Sequence, residues 1–480
     1  MGISLNPASL LSGQGLDVNT VVSQIISQQS GQLTQWQSQQ TTLQLQAGLI
    51  NSINNDLNSL ATAVDALSDP LGALAAQSAS SSDMSVLSAS AQTNAVAATH
   101  SIVVSNLASA GVVYTDTVTG GANVSILPSG SQTGDLKLQI GGASGTTADI
   151  QITAGTNDTL TTLANSINQQ SKQNKWGIAA NVVTDANGAR LAITSTATGT
   201  PGALAISNNS ATLNFNPPSG GTNASLTIDG IPYSSTTNTI AGAIAGVTLN
   251  LASAAPDETI QITVGPDVSR VTTAINNFVN AYNTVVNDIN QQYAVNPATD
   301  SQGPLAADTA LRNLQSRLLN DVTYSITGNS GLVNLASLGI NMNDDGTLTV
   351  GVNPSGQTLS QVITANPSAF QQFFQNATSS GFANNFHSDL INLTDPTLGL
   401  LNVDLAQNKT GQRNLADNIN NFEAQLAAQQ KQLTTEFSQV NASLQSYPLL
   451  LQQVTETLAT MNMSSGSSSG TSHPTLTSGL

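Results

Sequence analysis

Histidines are the first residues of this sequence that could carry acid–base chemistry. They are His100, His387 and His473. None of them stands in an HExxH pattern, and the chain has no Walker loop to hold a phosphate. We therefore interpret His100 and His387 as structural or surface residues. We expect His473 to lie in a disordered tail, because its surroundings are rich in Ser, Gly and Thr.

Adjacent carboxylates are the second candidates, because two carboxyl groups can share acid and base roles in hydrolysis. The pairs are Asp257-Glu258 and Asp344-Asp345. We interpret both as turn residues, whose side chains hydrogen-bond the backbone. Asp344-Asp345 also lacks the spacing of a calcium loop. The chain has no cysteine, which excludes thiolate catalysis and thiolate metal sites. The sequence predicts a non-enzymatic protein with no catalytic residue, no cofactor and no metal.

The charge content excludes two classes of partner. Only 8% of the residues are charged, against roughly 25% in an ordinary soluble domain. Lys and Arg together number 10 and the net charge is −17. Nucleic acids and anionic membranes both require clustered cations, so neither is an expected partner. The chain shows no conventional signal peptide and no apolar stretch long enough to span a membrane.

A long helix is predicted near the amino terminus. Asp17 can cap it, and the helical pattern continues from Val18 to Asp69-Pro70, interrupted only by Gly31 and Gly48. Apolar residues recur with heptad spacing, which predicts a coiled-coil seam. The seam residues are Trp36, Leu43, Ile50, Ile53, Leu57, Leu60, Val64 and Leu67. Trp36 could also serve as a recognition anchor, and both interpretations stay open.

A second heptad seam is predicted near the carboxyl terminus. Its residues are Ile419, Leu426, Leu433, Phe437, Val440, Leu444, Tyr447, Leu451, Val454, Leu458 and Met461. Pro448 lies inside the seam and predicts a kink or a break near Tyr447, because proline removes one helical hydrogen bond. Each seam needs a partner to cover it, so we expect the two chain ends to pair.

The middle of the chain is predicted to be rich in strands and tight turns. Asn187-Gly188 and Asp229-Gly230 are two-residue hairpin signals. The predicted strands are 101–104, 136–140, 150–152, 179–183, 191–194, 225–228, 247–251 and 260–264, with a hairpin at 339–350. The predicted helices are 160–169, 268–292, 305–319, 359–365 and 368–374.

Several short blocks resemble the flagellar hook-associated protein 2 family, the bacterial flagellar filament caps. Near the amino terminus, Gly15-Leu16-Asp17-Val18 and 101–108 resemble the start of that family. The stretch from Thr159 through Ile167-Asn168 to Gly177 resembles the IN motif shared with flagellin. The remaining blocks are 238–251, 278–283, 303–308, 311–312, 338–340 and 345–348. Their order and spacing make the resemblance extend over nearly the whole chain.

The resemblance implies an α+β multidomain fold in which N- and C-terminal coiled-coil helices form a leg and enclose β-rich head domains. Residues 1–40 would be a flexible segment with the start of the leg helix, and 415–463 a C-terminal coiled coil. Residues 41–75 with 267–414 would form the helical leg. Residues 76–125 with 226–266 would form one head domain and 126–225, with the IN motif, a second. Residues 464–480 would be a disordered tail.

The resemblance also implies a function and partners. The chain would leave the cell without a cleaved signal, by the flagellar type III export path, with a cytoplasmic chaperone. At the flagellum tip, outside the cell, it would form a homo-oligomeric ring of about five subunits; any number of subunits from four to six is compatible with the resemblance. There it would contact flagellin and the hook–filament junction proteins, direct flagellin polymerisation and prevent the loss of flagellin monomers. No nucleic acid and no membrane insertion are expected.

The heptad seams supply the candidate interface residues for oligomer or flagellin contacts. These residues are Trp36, Leu43, Ile50, Leu57, Val64, Leu433, Val440, Leu444 and Leu451. Packing within one subunit is the alternative for each of them. Two other functions stay open at this point. A Thr/Ser/Asn-rich head at the flagellar tip could bind host glycans or mucin as an adhesin, or the chain could be a flagellin-like structural subunit.

Overall fold

A computed structural model describes residues 17–298, 300–376 and 380–464, with side chains to 461. The described chain forms two compact units. The helical unit contains the described residues of Met1–Ser59, Thr284–Leu319 and Asp389–Leu480. The sheet-rich unit contains the described residues of Leu60–Asn283 and Asn320–Ser388. The predicted tail beyond Ser464 and His473 within it lie outside the described residues.

The helices of the described chain are α1 Val18–Gln29, α2 Gly31–Ser68, α3 Leu160–Asn174, α4 Val268–Tyr293, α5 Thr309–Val322, α6 Leu359–Ala365, α7 Pro367–Phe374, α8 Phe382–Thr394 and α9 Leu400–Ser464. Short 3₁₀ turns lie at Ala73–Ala75, Thr200–Gly202, Asn329–Gly331 and Leu335–Leu338.

The strands are β1 Gln77–Ser81, β2 Leu87–Ala91, β3 Ala98–Asn106, β4 Ala110–Tyr114, β5 Thr133–Ile140, β6 Thr146–Thr153, β7 Ile178–Asp185, β8 Gly188–Thr198, β9 Leu204–Asn209, β10 Ala224–Ile228, β11 Ile231–Ser235, β12 Thr239–Ile244, β13 Val247–Leu251, β14 Ala255–Pro266, β15 Ile340–Met342 and β16 Leu348–Val350. Their sheets have the orders β1-β14-β3-β10-β11, β12-β13-β2, β4-β8-β7, β6-β5-β9 and β15-β16.

The first helices begin and separate where the sequence predicts. The Asp17 carboxylate accepts a hydrogen bond from the Thr20 N–H at 3.2 Å, so the predicted N-cap is confirmed. A turn at Ser30 separates α1 from α2, next to the predicted interruption at Gly31. Gly48 lies inside α2 and does not end it.

Two apolar cores of the sheet-rich unit lie among its strands. One is built on β2, β3, β10 and β12–β14, and its buried residues include Ile102, Val104 and Leu249. The other extends from Val113 to Leu213, where α3 packs on β5–β8 and buries Leu163 and Ile167. The domain boundaries expected at residues 125 and 225 stay a prediction.

The hairpin predicted at Asp229-Gly230 is confirmed in detail. Asp229 and Gly230 have φ of 51° and 81°, the left-handed pair that this two-residue turn requires. Ile228 and Ile231 face each other across the turn, and β10 and β11 are antiparallel. The strands predicted at 101–104, 136–140, 150–152 and 247–251 all lie within observed strands.

Helices α8 and α9 differ from the predictions at three points. Helix α9 continues through Pro448, so of the predicted kink or break the break is wrong, and the kink stays a prediction. The residues around Pro448 are exposed, which leaves the freed carbonyl of Leu444 open to hydration. Helix α9 also begins at Leu400, ahead of the predicted heptad pattern, which starts at Ile419. Helix α8 was not predicted, although its apolar residues Phe382, Phe386, Leu390 and Leu393 have helical spacing.

Candidate interaction surfaces

The two chain ends pair as antiparallel helices in the helical unit. The Asn54 amide donates to Asn402 Oδ1 at 3.0 Å, and the Gln412 amide donates to the Leu43 carbonyl at 3.2 Å. Trp36 meets Phe422 edge to face at a ring distance of 5.5 Å. Partner numbers fall along α9 as they rise along α2. The predicted pairing of the chain ends is therefore confirmed, and Trp36 is half-buried in it.

The structure divides the candidate interface residues into three groups. Ile50, Leu57 and Val64 are fully buried within their own chain. They are therefore packing residues in this structure, and no surface presents them. Trp36, Leu43, Leu433 and Leu444 are half-buried, whereas Val440 and Leu451 are exposed. The residues able to meet a partner directly belong to the last two groups.

An uncovered apolar face lies on the last turns of α9. We call it the distal stripe and define it as Val440, Tyr447, Leu451, Val454 and Leu458. Its members are spaced by three, four or seven residues and share one side of the helix. Leu451 is 64% exposed and Leu458 is 60% exposed, whereas Ile419 and Leu426 on the same helix are buried. Within the described residues, nothing covers the distal stripe.

A groove between α2 and α9 makes Leu43 accessible. It has a volume of about 530 Å³ and an apolar floor formed by Leu43 and Leu415. The amide side chains of Gln39, Gln46 and Asn414 flank this floor. Gly411 also lines the groove. A Cβ added at Gly411 would lie 3.7 Å from Leu43 Cδ1, which is an ordinary contact. The groove can hold an apolar side chain and offers amides for hydrogen bonds at its rim.

Two carboxyl pairs join helices of the helical unit. Partial burial, then the charge of Asp308 and a hydrogen bond to it, raise the pKa of Asp404 to about 6. Partial burial and a hydrogen bond to Asp288 likewise raise the pKa of Asp56. Asp308 also accepts from the Ala310 N–H at 2.7 Å and so caps α5. In each pair, partial burial and the neighbouring carboxyl group make the charged form of one member, Asp404 or Asp56, less favourable.

The two pairs of adjacent carboxylates have structural roles in the sheet-rich unit. Asp345 Oδ1 accepts from the Thr347 N–H at 3.0 Å and its hydroxyl at 2.6 Å, and these bonds lower the pKa of Asp345. Its predicted turn role is confirmed. The turn predicted at Asp257-Glu258 is wrong, because both residues lie in β14, where the pairing with β3 shifts register between Ala255 and Ile260.

Within the residues that the structure describes, no group of three or more His, Asp or Glu side chains is placed to hold a metal ion. Among the described helices, none is both long and apolar enough to cross a membrane. His100 Nδ1 lies 2.7 Å from Asp229 Oδ2, and His387 Nδ1 lies 3.8 Å from Asp65 Oδ1. Both histidines therefore stand in two-residue contacts with single carboxylates.

Fold and surfaces together define the class: a multidomain α+β protein whose chain ends pair as antiparallel helices and present a heptad-spaced apolar face. Two family models match the chain. They describe the flagellar hook-associated protein 2 N-terminus, over residues 14–111, and the flagellar hook-associated protein 2 C-terminus, over residues 221–448.

Relatives agree with these matches. Flagellar hook-associated protein 2 of Escherichia coli K12 is 30% identical over 356 residues, covering 69% of this chain and 73% of that protein. The B-type flagellar hook-associated protein 2 of Pseudomonas aeruginosa PAO1 is 27% identical over 462 residues, covering 89% and 91%. The chain belongs to the flagellar hook-associated protein 2 family.

A solved structure supports the fold. The D1-D2-D3 domains of the flagellar cap protein FliD from Escherichia coli superpose with a TM-score of 0.54 at 24% identity, covering 75% of this chain and 99% of that one. The names of these three proteins refer to flagellar hook association and to the flagellar cap. These names give no support to the adhesin alternative. Both family models describe flagellar hook-associated protein 2 and not flagellin, so they do not support the flagellin alternative either.

Proposed function

We propose that this chain is a flagellar filament cap. It oligomerises at the filament tip, directs flagellin polymerisation and prevents the loss of flagellin monomers. Membership of the flagellar hook-associated protein 2 family supports this function, as does the fold shared with a protein named as a flagellar cap. The observation that carries it is the distal stripe, an apolar helical face left uncovered on the chain's own helix pair.

The proposed mechanism is reversible helix packing. The stripe provides apolar area for contact with helices of flagellin or of neighbouring cap subunits. The residues of the distal stripe are uncharged, so contacts with it are not fixed by specific ion pairs and can be replaced when a new subunit is inserted. No covalent bond is made or broken in this mechanism.

The partners and location follow from the same proposal. The cap would be a homo-oligomeric ring of about five subunits, on the outside of the cell at the flagellum tip. The hook–filament junction proteins and a cytoplasmic export chaperone are the further partners. Candidate contact residues are Trp36, Leu43, Leu433, Val440, Leu444 and Leu451, with Leu43 contributing through the groove between α2 and α9.

Complementation of a gene deletion tests this proposal. The deletion should abolish filaments and release monomeric flagellin into the medium, and the wild-type gene should restore filaments. The double variant Leu451→Gln with Leu458→Gln should fail to restore them, because it makes the distal stripe polar. The control is Val403→Gln, an exposed apolar position on the same helix outside the stripe, which should restore filaments.

Two results would contradict different parts of the proposal. Normal filaments in the deletion strain would refute the cap function as a whole. Full restoration by the double variant would refute the role of the distal stripe and leave the cap function standing. Circular dichroism of the purified variants checks that α9 remains helical.

A further inference from the structure

An open cavity lies in the sheet-rich unit, whereas the surfaces that carry the proposed function belong to the helical unit. Its volume is about 400 Å³, which is within the range of about 300–1,000 Å³ that is usual for small-molecule sites. The wall comes from the start of β3, the β10–β11 hairpin and the end of β12. Most of the wall is apolar and consists of Ala98, Ile228, Ala243, Ile244 and Ala245.

One imidazole is built into this apolar wall. His100 lines the cavity with its side chain 20% exposed, and its Nδ1 lies 2.7 Å from Asp229 Oδ2. The pKa of Asp229 is lowered by the hydrogen bond to His100 and then by the one from the Ser101 N–H. The carboxyl group is therefore ionised at neutral pH, where it can only accept hydrogen bonds. It follows that His100 Nδ1 carries a proton and donates it.

The second ring nitrogen of His100 is left for a ligand. Among the described residues, this imidazole makes one hydrogen bond, and it makes that bond through Nδ1. A neutral imidazole whose Nδ1 donates has a hydrogen-bond acceptor at Nε2. A carboxylate on one ring nitrogen is also what orients histidine ligands at metal sites and makes the other nitrogen more basic. The cavity wall therefore offers one strong acceptor among apolar groups.

The β10–β11 hairpin holds this acceptor in place. Asp229 has a φ of 51° in the turn, and its backbone N–H donates to the Ser101 carbonyl at 2.8 Å. Its Oδ1 accepts from the Ser101 N–H, also at 2.8 Å. These two bonds fix the carboxylate against β3, and the carboxylate fixes the imidazole. Binding at Nε2 therefore costs little additional ordering of the protein.

The wall also selects the charge and polarity of a ligand. Apart from His100 and Asp229, the lining residues are uncharged. An anion would be repelled by the Asp229 carboxylate, and a cation would find that carboxylate already paired. A sugar would bury several hydroxyl groups against alanine and isoleucine side chains without enough partners, which costs free energy for each unpaired group. The ligand that fits is uncharged, mostly apolar and equipped with one hydrogen-bond donor.

The rings at the cavity favour an aromatic ligand. Tyr233 lines the mouth beside the exposed side chains of Val96 and Ile231. A flat ligand can pack against the rings of Tyr233 and His100 in edge-to-face or offset arrangements. We propose that the cavity binds a small uncharged aromatic molecule of the phenol or indole class, whose O–H or N–H donates to His100 Nε2. This binding site is independent of the proposed cap function.

Methyl NMR of the full-length protein, labelled at the isoleucine δ1 methyl groups, tests this proposal. The probe is p-cresol, and the matched probe is p-xylene, which has a methyl group in place of the hydroxyl and therefore no donor. Addition of p-cresol should shift the methyl signals of Ile228, Ile231 and Ile244, which line the cavity. The shifts should saturate with a Kd below about 1 mM.

Variants separate the hydrogen bond from the apolar contact. His100→Phe keeps a ring but removes the acceptor, so the affinity for p-cresol relative to p-xylene should fall by about fivefold or more. Asp229→Asn is tolerated at positive φ and no longer fixes the tautomer, so it should lower the same ratio by a smaller factor. Ala243→Phe fills the cavity and should weaken both probes by about tenfold or more. Val183→Phe, at an exposed position of β7 outside the cavity, should leave both affinities within about twofold.

Three results would overturn the proposal, with thermal unfolding as the check that each variant is folded. Unchanged isoleucine signals at millimolar p-cresol would show that the cavity is not a site for this class of ligand. An unchanged affinity ratio in both His100→Phe and Asp229→Asn would show that Nε2 does not select the donor. Release of p-cresol when the protein is concentrated, or when flagellin is added, would show that a protein side chain occupies the cavity instead. None of these results bears on the cap function, which the complementation assay tests separately.

Discussion

Two segments of α9 both have apolar residues at helical spacing, but these residues are buried in one segment and exposed in the other. In the proximal segment, residues 400–426, the apolar positions Leu401, Leu405, Ile419 and Leu426 are buried in the helical unit. In the distal segment, residues 440–461, the distal stripe remains exposed. A heptad repeat therefore states that a helix needs a partner, and it does not state whether that partner belongs to the same chain.

The largest expected effect comes from truncating one leucine in each segment. Leu401→Ala should lower the free energy of unfolding by about 2–4 kcal/mol, because Leu401 is almost fully buried and its removal leaves a cavity. Leu458→Ala should change it by less than about 0.5 kcal/mol, because Leu458 is already in contact with solvent. Urea unfolding followed by circular dichroism measures both.

Equal losses for the two leucines would break this comparison, since they would mean that the distal stripe packs within the monomer. The experiment is done at low protein concentration, so that self-association does not contribute to the measured stability.

A smaller effect is expected at the carboxyl pair of the proximal segment. Asp404 has a raised pKa of about 6 in the folded chain. Above that pH it is charged in both states and its folded form is penalised; below the unfolded pKa of about 4 it is neutral in both. Stability should therefore rise as the pH falls from about 7 to about 4, and Asp404→Asn should stabilise the chain at pH 7 by about 1 kcal/mol after allowance for solvent screening.

Chemical unfolding at a series of pH values checks this prediction. Asp417→Asn, at an exposed position on the same helix, is the matched control and should leave the free energy of unfolding at pH 7 nearly unchanged. An Asp404→Asn variant no more stable than the wild type at pH 7 would show that the pair with Asp308 carries no penalty.

The smallest effect on global stability is expected at Pro448. Pro448→Ala restores a helical hydrogen bond in a segment whose side chains are exposed, so the free energy of unfolding should change by less than about 0.5 kcal/mol. Amide hydrogen exchange around residues 444–452 should nevertheless become slower, because the helix there loses its local defect. Unchanged exchange would show that neighbouring residues already hold the helix at full strength.

Local signals were sufficient for the sharpest predictions. Val247–Leu251 and Leu359–Ala365 were predicted with the bounds that the structure shows. The turn at Asp229-Gly230 was predictable because few residues adopt two successive positive φ angles. Strands β11 and β12 were missed, because their residues are mostly exposed and lack a buried alternation.

The candidate surfaces were only partly predictable. Heptad spacing placed Ile50 and Leu451 in the same category, although one is buried in its own chain and the other is exposed. A cavity of about 400 Å³ beside Ile231 in the sheet-rich unit gave no sequence signal, since the lining residues at 96–100 are distant in sequence from those at 228–245. Only contacts between distant residues can create or close such a site.

The sequence by itself determined the pattern of this protein: which stretches are amphipathic helices, where tight turns occur, and that acid–base or nucleic-acid chemistry had little support in its residue types. These properties depend on single residues and on short spacings, so each can be inferred from a local stretch of the sequence. The tertiary structure alone decided which apolar faces are satisfied. Burial depends on which distant segment packs against an apolar face and excludes water from it. Helix α2 does so for the proximal half of α9, and no described segment does so for the distal half.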